Sequence, residues 1–335
     1  MKAPRYWSNP PDSPGAIARL LSPLAMLWRL GGKVLAASKS TEAAPVPVLC
    51  IGNLTAGGSG KSPMVAALLQ RLAEAGRTPH VVTRGYGGTE RGPYRVDSAK
   101  DSAAKVGDEP LMLAAFGPVW VARDRAAGAR AAAAEGADLI LLDDGFQNPG
   151  LRKDGAILMI DAGVGFGNGR IIPAGPLREP VGEGLSRADL VVLVGQPDAR
   201  ENCLSSWPQL AKIKVVGAEL VPRQSGMVLE GDPVFAFAGI GRPEKFFYTL
   251  RHMCAQLVGT RTFPDHHPYS PAIIRRLIRD AMASNAMLVT TEKDAVRLPQ
   301  MFRRDVMTVQ VVLEPEDWSS IDALVQTICG APRPG

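Results

Sequence analysis

Lys61 and Ser62 stand directly after three closely spaced glycines, Gly57, Gly58 and Gly60, and just before Pro63. A cation and a hydroxyl at that spacing suit a polyphosphate. The backbone N–H groups of Thr55, Ala56, Gly57, Gly58, Ser59 and Gly60 can face the anion, Lys61 can reach its outer phosphates, and the Ser62 hydroxyl can ligate Mg²⁺. The usual motif has glycine six residues before the lysine. Here that residue is Thr55, so the match covers the Gly-Gly-x-Gly-Lys-Ser half. A bare glycine turn is the alternative, and the order strand, loop, lysine, hydroxyl, helix argues against it.

Further groups suit phosphoryl transfer. Asp143 and Asp144 close an apolar run, where a parallel strand ending in acid commonly holds Mg²⁺ or its waters; two acids in a surface turn is the competing reading. Asp108 and Glu109, in Lys105-Val-Gly-Asp-Glu-Pro110, precede a helix. They can cap it, or Asp108 can serve as a base for an acceptor hydroxyl. His266, in Phe263-Pro-Asp-His-His-Pro-Tyr269, qualifies for the same role. Arg84, Arg123 and Arg178 are available anion clamps. Asp265, His266 and His267 make a weak metal site, because adjacent histidines do not face one point.

These residues need elements to hold them at one edge. Val46–Ile51 reads as a buried strand before the glycine loop, and Pro63–Ala75 as the helix after it. Strands are expected at 80–83, 119–122, 139–142, 156–161 and 190–194, with helices at 111–116 and 126–135 between them. Such alternation predicts a mostly parallel sheet sandwiched by helices, with ligands at the carboxyl ends of its strands. The expected fold class is therefore α/β, a P-loop NTPase-like sheet with a second, smaller α/β domain. The expected organisation is a helical region at 1–40, a nucleotide-binding domain at 41–216, a linker at 217–232 and the smaller domain at 233–335. In that last domain a strand at 234–238, a helix at 244–257, a helix from Ser270 to Ser284, strands at 287–290 and 306–313 and a helix at 319–328 are expected.

Residues 15–37 place Ile17, Leu20, Leu21, Leu24, Leu27, Trp28 and Leu30 at helical spacing, with Arg19, Arg29 and Lys33 among them. The uncharged run is too short to span a bilayer, which leaves an interfacial helix or a capping helix. Hydrophobic residues make up 46% and charged residues 21% of the 335, which predicts packed domains rather than disorder. A net charge of +5 suits phosphate-rich ligands or an anionic surface, while 6% aromatics and no basic stretch interleaved with rings argue against nucleic acid. Four scattered cysteines, none in a CxxC pair, indicate neither a zinc site nor a disulfide framework.

Seven motifs in order resemble the tetraacyldisaccharide 4′-kinase family. They are Gly52-Asn-Leu-Thr55 with the following Gly-Gly-Ser-Gly-Lys-Ser-Pro63, Thr83-Arg-Gly-Tyr-Gly-Gly88, Gly107-Asp-Glu-Pro110, Asp143-Asp-Gly-Phe-Gln147, Pro173-Ala-Gly-Pro-Leu-Arg-Glu179, Phe263-Pro-Asp-His-His267 and Thr291-Glu-Lys-Asp294. The resemblance covers residues 15 to 315 and makes Thr55 part of the pattern. It implies transfer of the γ-phosphate of ATP-Mg²⁺ to the 4′-hydroxyl of a tetraacyldisaccharide 1-phosphate, a lipid A precursor. Asp108 would be the base, paired with His266, chosen over His267 because it follows Asp265. Lys61 and Ser62 would contact phosphate and metal, Tyr86 would lie near nucleotide and acceptor, and Arg123 and Arg178 would face phosphate. Glu109 joins Ser62, Asp143 and Asp144 as a candidate Mg²⁺ contact. The helix at 15–37 then becomes membrane-facing, at the cytoplasmic face of the bacterial inner membrane, with no protein partner implied. With His266 and the loop on different domains, the domains are expected to close over the site. Rival readings are a soluble small-molecule kinase or ligase with the same loop, and a non-catalytic nucleotide switch.

Overall fold

The structure is a computed structural model that describes residues 3–37, 40–223, 229–253 and 255–330. Its apolar runs fold into strands β1 (Val48–Gly52), β2 (Pro79–Thr83), β3 (Tyr94–Arg95), β4 (Val119–Val121), β5 (Leu139–Asp143), β6 (Gly155–Asp161), β7 (Leu190–Val194) and β8 (Val215–Pro222), then β9 (Pro233–Ala238), β10 (Gln256–Thr262), β11 (Met287–Thr291), β12 (Met307–Val309) and β13 (Val311–Pro315). A nine-stranded sheet runs β13-β8-β7-β6-β1-β5-β2-β4-β3, and a four-stranded sheet runs β10-β9-β11-β12. Every pairing is parallel except β3 with β4 and β13 with β8.

Strands β1, β2, β5, β6 and β7 are buried throughout, which follows from helices covering both faces of a parallel sheet. Leu49 and Ile51 of β1 pack into the core on one face, Val48 and Cys50 into the core on the other. Register then sets the site. Ile51 pairs with Asp143, so the acid at the end of β5 lies beside the exit of β1 into the glycine loop.

The smaller sheet departs from expectation in three ways. The helix predicted at 244–257 stops at His252, and the chain turns into β10. That strand lies at the edge of its sheet and is mostly exposed, so it carries no clear apolar alternation. The run at 306–313 breaks at Gln310: β12 stays in the small sheet while β13 joins β8 of the large one. Consequently Leu313, with Ile321 and Val325 of the last helix, packs into the core of the first lobe rather than the second. The segment expected as a linker at 217–232 begins inside β8, which β13 supports from its free side. Residues 224–228 of that segment lie outside the described residues.

Helix α1 (Ala16–Ala37) contains Pro23 and buries Ala18 and Ala25. It exposes Ile17, Leu20, Leu24, Met26, Leu27, Trp28 and Leu30. No helix among the described residues is long and apolar enough to cross a membrane. The turn before α1 is fastened to the body, since Tyr6 Oη and Trp7 Nε1 both donate to the Pro173 carbonyl (3.1 and 3.2 Å). Helix α1 is held by Ser22 Oγ, which accepts from Arg170, and by an ion pair between Arg29 and Glu183.

Candidate active site

The glycine loop leaves β1 and enters α2 (Lys61–Glu74) through Gly60, at φ 84°, a left-handed conformation that a side chain resists. The loop is braced from two directions. Asn53 Nδ2 donates to the carbonyls of Thr55 (2.8 Å) and Gly57 (3.2 Å). Ala56 N donates to Pro176 O at 2.8 Å, and Thr55 bridges to Leu177. Thus the proline-rich loop around Pro173–Glu179 is a wall of the cradle. Lys61 Nζ lies 3.7 Å from Asp144 Oδ1, and Arg178 Nη1 donates to the same oxygen at 3.0 Å.

The two acids after β5 have different surroundings. Asp143 is buried. Its Oδ2 accepts from Thr83 Oγ1 at 3.1 Å, and its Oδ1 has no hydrogen-bond partner. Burial, then the charges of Glu109 and Asp144, push its carboxyl up to about 7. Asp144 sits at φ 49°. Burial opposes its charge as well, but Lys61 and Arg178 outweigh that and hold it below the usual range.

Asp108 opens the helix Asp108–Leu113, which follows Gly107 at φ 95° and has no side-chain cap. A Cβ on Gly88 would lie 2.6 Å from Lys105 O and 2.7 Å from Gly107 N, so the Arg84–Gly88 loop can rest on the turn before Asp108 only as glycine there. Asp108 is buried, and across the lobe boundary it meets His266, whose Nδ1 is 2.9 Å from Oδ2 and 3.1 Å from Oδ1. Burial opposes the charge on Asp108, but the His266 hydrogen bond and the charges of Lys293, His266 and Arg297 hold the carboxyl below its ordinary value. An ionised carboxylate only accepts, so Nδ1 carries a proton; in the neutral ring Nε2, 3.7 Å from Asp265 Oδ2, is then the acceptor nitrogen. His267 turns away and stacks on Phe263 at 4.9 Å.

Apart from Asp108 and His267, the residues singled out from the sequence line one cleft of about 2350 Å³ between the lobes: Thr55 to Ser62, Arg84, Tyr86, Glu109, Arg123, Asp143, Asp144, Arg178, Asp265 and His266. Asp108 stands behind His266. The Tyr86 and His266 rings lie 5.6 Å apart. Three residues escaped the sequence reading. Lys293, in the quoted Thr-Glu-Lys-Asp motif, bonds Glu109 Oε1 at 3.2 Å. Burial opposes its charge, but Glu109, Asp108 and Asp265 raise it above the ordinary lysine range. Arg125 is buried at the cleft with its Nε unpartnered, though Arg123 was the arginine favoured. Arg297 lies 3.5 Å from Asp108. Only the first had a signal, its place in a motif; the others depend on long-range packing.

A parallel sheet with a glycine loop after β1, strand-end acids on the neighbouring strand and a carboxylate–imidazole pair across the cleft defines a phosphotransferase of the phosphate-loop class. Comparison with known proteins narrows this. The model of the tetraacyldisaccharide-1-P 4′-kinase family matches residues 17–329, and the chain belongs to that family. The tetraacyldisaccharide 4′-kinase of Dinoroseobacter shibae is 50% identical over 329 residues, 98% of each chain. That of Jannaschia sp. is 48% identical over 330 residues, 98% of this chain and 100% of the relative. LpxK from Aquifex aeolicus, in a crystal structure described as an "apo" form in complex with ATP, aligns with a TM-score of 0.73 over 93% of this chain and 99% of that one; at 24% identity it speaks to the fold alone.

Proposed function

We propose that this chain is an ATP-dependent kinase that transfers the γ-phosphate of ATP to the 4′-hydroxyl of a tetraacyldisaccharide 1-phosphate in lipid A biosynthesis. The observation that carries the reading is the Asp108–His266 pair, at 2.9 Å, which presents its imidazole to the same cleft as the glycine loop and the β5 acids. A phosphate cradle alone fits a nucleotide switch. A carboxylate-backed imidazole opposite it fits transfer to an alcohol.

The residues present suit ATP with Mg²⁺. Ser59 Oγ and Asp143 Oδ1 are buried, unpartnered and on the cleft, and such orphaned atoms call for a ligand. Among the described residues no three His, Cys, Asp or Glu side chains form a metal cage, which agrees with Mg²⁺ held by one or two carboxylates plus phosphate oxygens. Ser62 and Asp143, with Glu109 or Asp144, would hold it, and bound there it would spread the charge of the transferring group.

Lys61, Arg84, Arg123 and Arg178 clamp phosphate oxygens. The sugar hydroxyl meets His266, because that ring reaches the cleft and Asp108 does not. Nε2 takes the hydroxyl proton as the sugar oxygen bonds the γ-phosphorus and the bond to the β–γ bridging oxygen breaks, releasing ADP. Asp108 keeps the ring in the required tautomer and offsets the charge it acquires. Tyr86, 68% exposed beside the imidazole, offers a surface for the sugar.

The exposed apolar face of α1 would rest in the cytoplasmic leaflet of the inner membrane, where its leucines and Trp28 meet acyl chains and the cleft meets the headgroup. The deciding assay presents tetraacyldisaccharide 1-phosphate in mixed micelles with γ-labelled ATP and Mg²⁺. Label at the 4′ position is expected; none there overturns the reading.

A further inference from the structure

We propose that Arg297 is a positioning residue for this reaction, a buried guanidinium that keeps Asp108 and the His266 turn in register across the two lobes. The inference rests on the kinase reading above and concerns a residue that reading leaves unused. Glu109, Asp265, His266 and Lys293 line the cleft; Arg297 stands behind them, its side chain 6% exposed. Its Nε–H donates to the carbonyl of Lys293 at 2.9 Å, and the same nitrogen stands 3.5 Å from Asp108 Oδ2 as an ion pair.

The other donors grip the turn that presents His266. Nη1 donates to the carbonyl of His267 at 3.1 Å, and Nη2 to the carbonyl of Gly239 at 3.0 Å. That Gly239 carbonyl also accepts from the backbone N–H of His266 (3.2 Å). One planar group thus fastens both sides of a residue held at φ 59°, a conformation that a histidine keeps only where its surroundings enforce it. The guanidinium is fixed in turn. Asp294 is fully buried, and its Oδ1 accepts from Arg297 Nη2 (2.8 Å), Tyr269 Oη (2.5 Å) and Gly239 N (2.9 Å). Its Oδ2 accepts from Thr291 Oγ1 at 2.5 Å. A lysine has one donor atom and cannot reach both carbonyls, Asp294 and Asp108 together. Arg297 therefore acts through the pair and touches neither nucleotide nor acceptor.

The test uses full-length R297Q and R297K in the mixed-micelle transfer assay, with ATP affinity and melting temperature measured alongside. In R297Q, kcat should fall about tenfold to a hundredfold, the scale for misplacing reacting groups by about an ångström. ATP affinity should stay within about twofold, because the cradle lies in the other lobe. R297K should lie between R297Q and the parent. Should R297Q prove unfolded, R297K decides alone, with kcat expected to drop severalfold. A folded variant with parental kcat overturns the inference, as does loss of ATP affinity in proportion to kcat, which would mark a merely structural residue. A parent protein that phosphorylates no acceptor overturns the kinase reading itself, a distinct result.

Discussion

Asp108→Asn tests the pair at the heart of the site with almost no change in shape. The carboxylate accepts the His266 Nδ1–H through two oxygens, at 2.9 and 3.1 Å. An asparagine has one carbonyl oxygen and an NH₂ that only donates. When the NH₂ faces Nδ1, the ring proton moves to Nε2, and the nitrogen that should receive the sugar proton is blocked. In the other amide orientation the tautomer survives, but the charge offsetting an imidazolium is gone. General-base catalysis is worth about 10²–10⁴-fold, so kcat should fall by that factor, roughly 3–5 kcal/mol in the barrier. No cradle residue bonds Asp108, so KM for ATP should change by less than about threefold. The melting temperature should also drop, since Arg297 and Lys293 lose a buried counter-charge. Initial rates of labelled phosphate transfer, with ATP binding measured separately, check both parts. Turnover within tenfold of the parent would refute the role given to Asp108, whatever the effect on stability.

Three other outcomes follow from particular contacts. Asp143 is raised to about 7, above its ordinary 3.8, so between those values the folded state holds a proton that the unfolded state releases; nucleotide-free stability is present at low pH and is lost as pH rises from about 4 to about 7. Asp143→Asn should flatten that slope, raise the melting temperature at pH 8 and abolish turnover, and parallel melting curves for the two proteins would count against the burial argument. Gly88→Ala should lower kcat about tenfold or more by pushing the turn before Asp108 off the Arg84–Gly88 loop; unchanged turnover would show that the loop moves freely. Leu20 and Leu27 are 79% and 65% exposed, and burying a leucine is worth about 1.5–3 kcal/mol. Leu20→Glu with Leu27→Glu should thus weaken flotation with anionic vesicles on the order of a hundredfold, while equal flotation would argue that α1 lies off the bilayer.

Much of the first lobe was legible because its signals are local. Five buried strands read as apolar runs, and Leu190–Val194 was placed to the residue. The glycine loop, the paired acids and the Gly-Asp-Glu-Pro turn occur in an order that few other arrangements share. What escaped depends on pairing over long distance. Nothing in the run Val306–Leu313 marks Gln310 as the point where the chain changes sheets; β13 is set by the open edge of β8, more than eighty residues earlier in the chain. Edge strand β10 turns Leu257 and Gly259 inward and leaves the rest exposed, too little apolar alternation to advertise a strand. Asp108 and His266 were each legible as chemistry, but the burial of one behind the other was not, since it depends on how the lobes meet. Arg125 and Arg297 read as ordinary charges in a sequence; their importance is in their burial.

The loop holding Pro173 and Pro176 is shared property. One of its carbonyls receives Tyr6 and Trp7, and three residues on another receives the amide of Ala56 in the glycine turn. A shortened chain begun after the first helix, the obvious route to a protein easier to handle, therefore removes two struts from the far side of the phosphate cradle along with the greasy face. Poor ATP binding by such a truncation would report a slackened nucleotide site, and point changes on the outer face of α1 are the cleaner way to separate adhesion from chemistry.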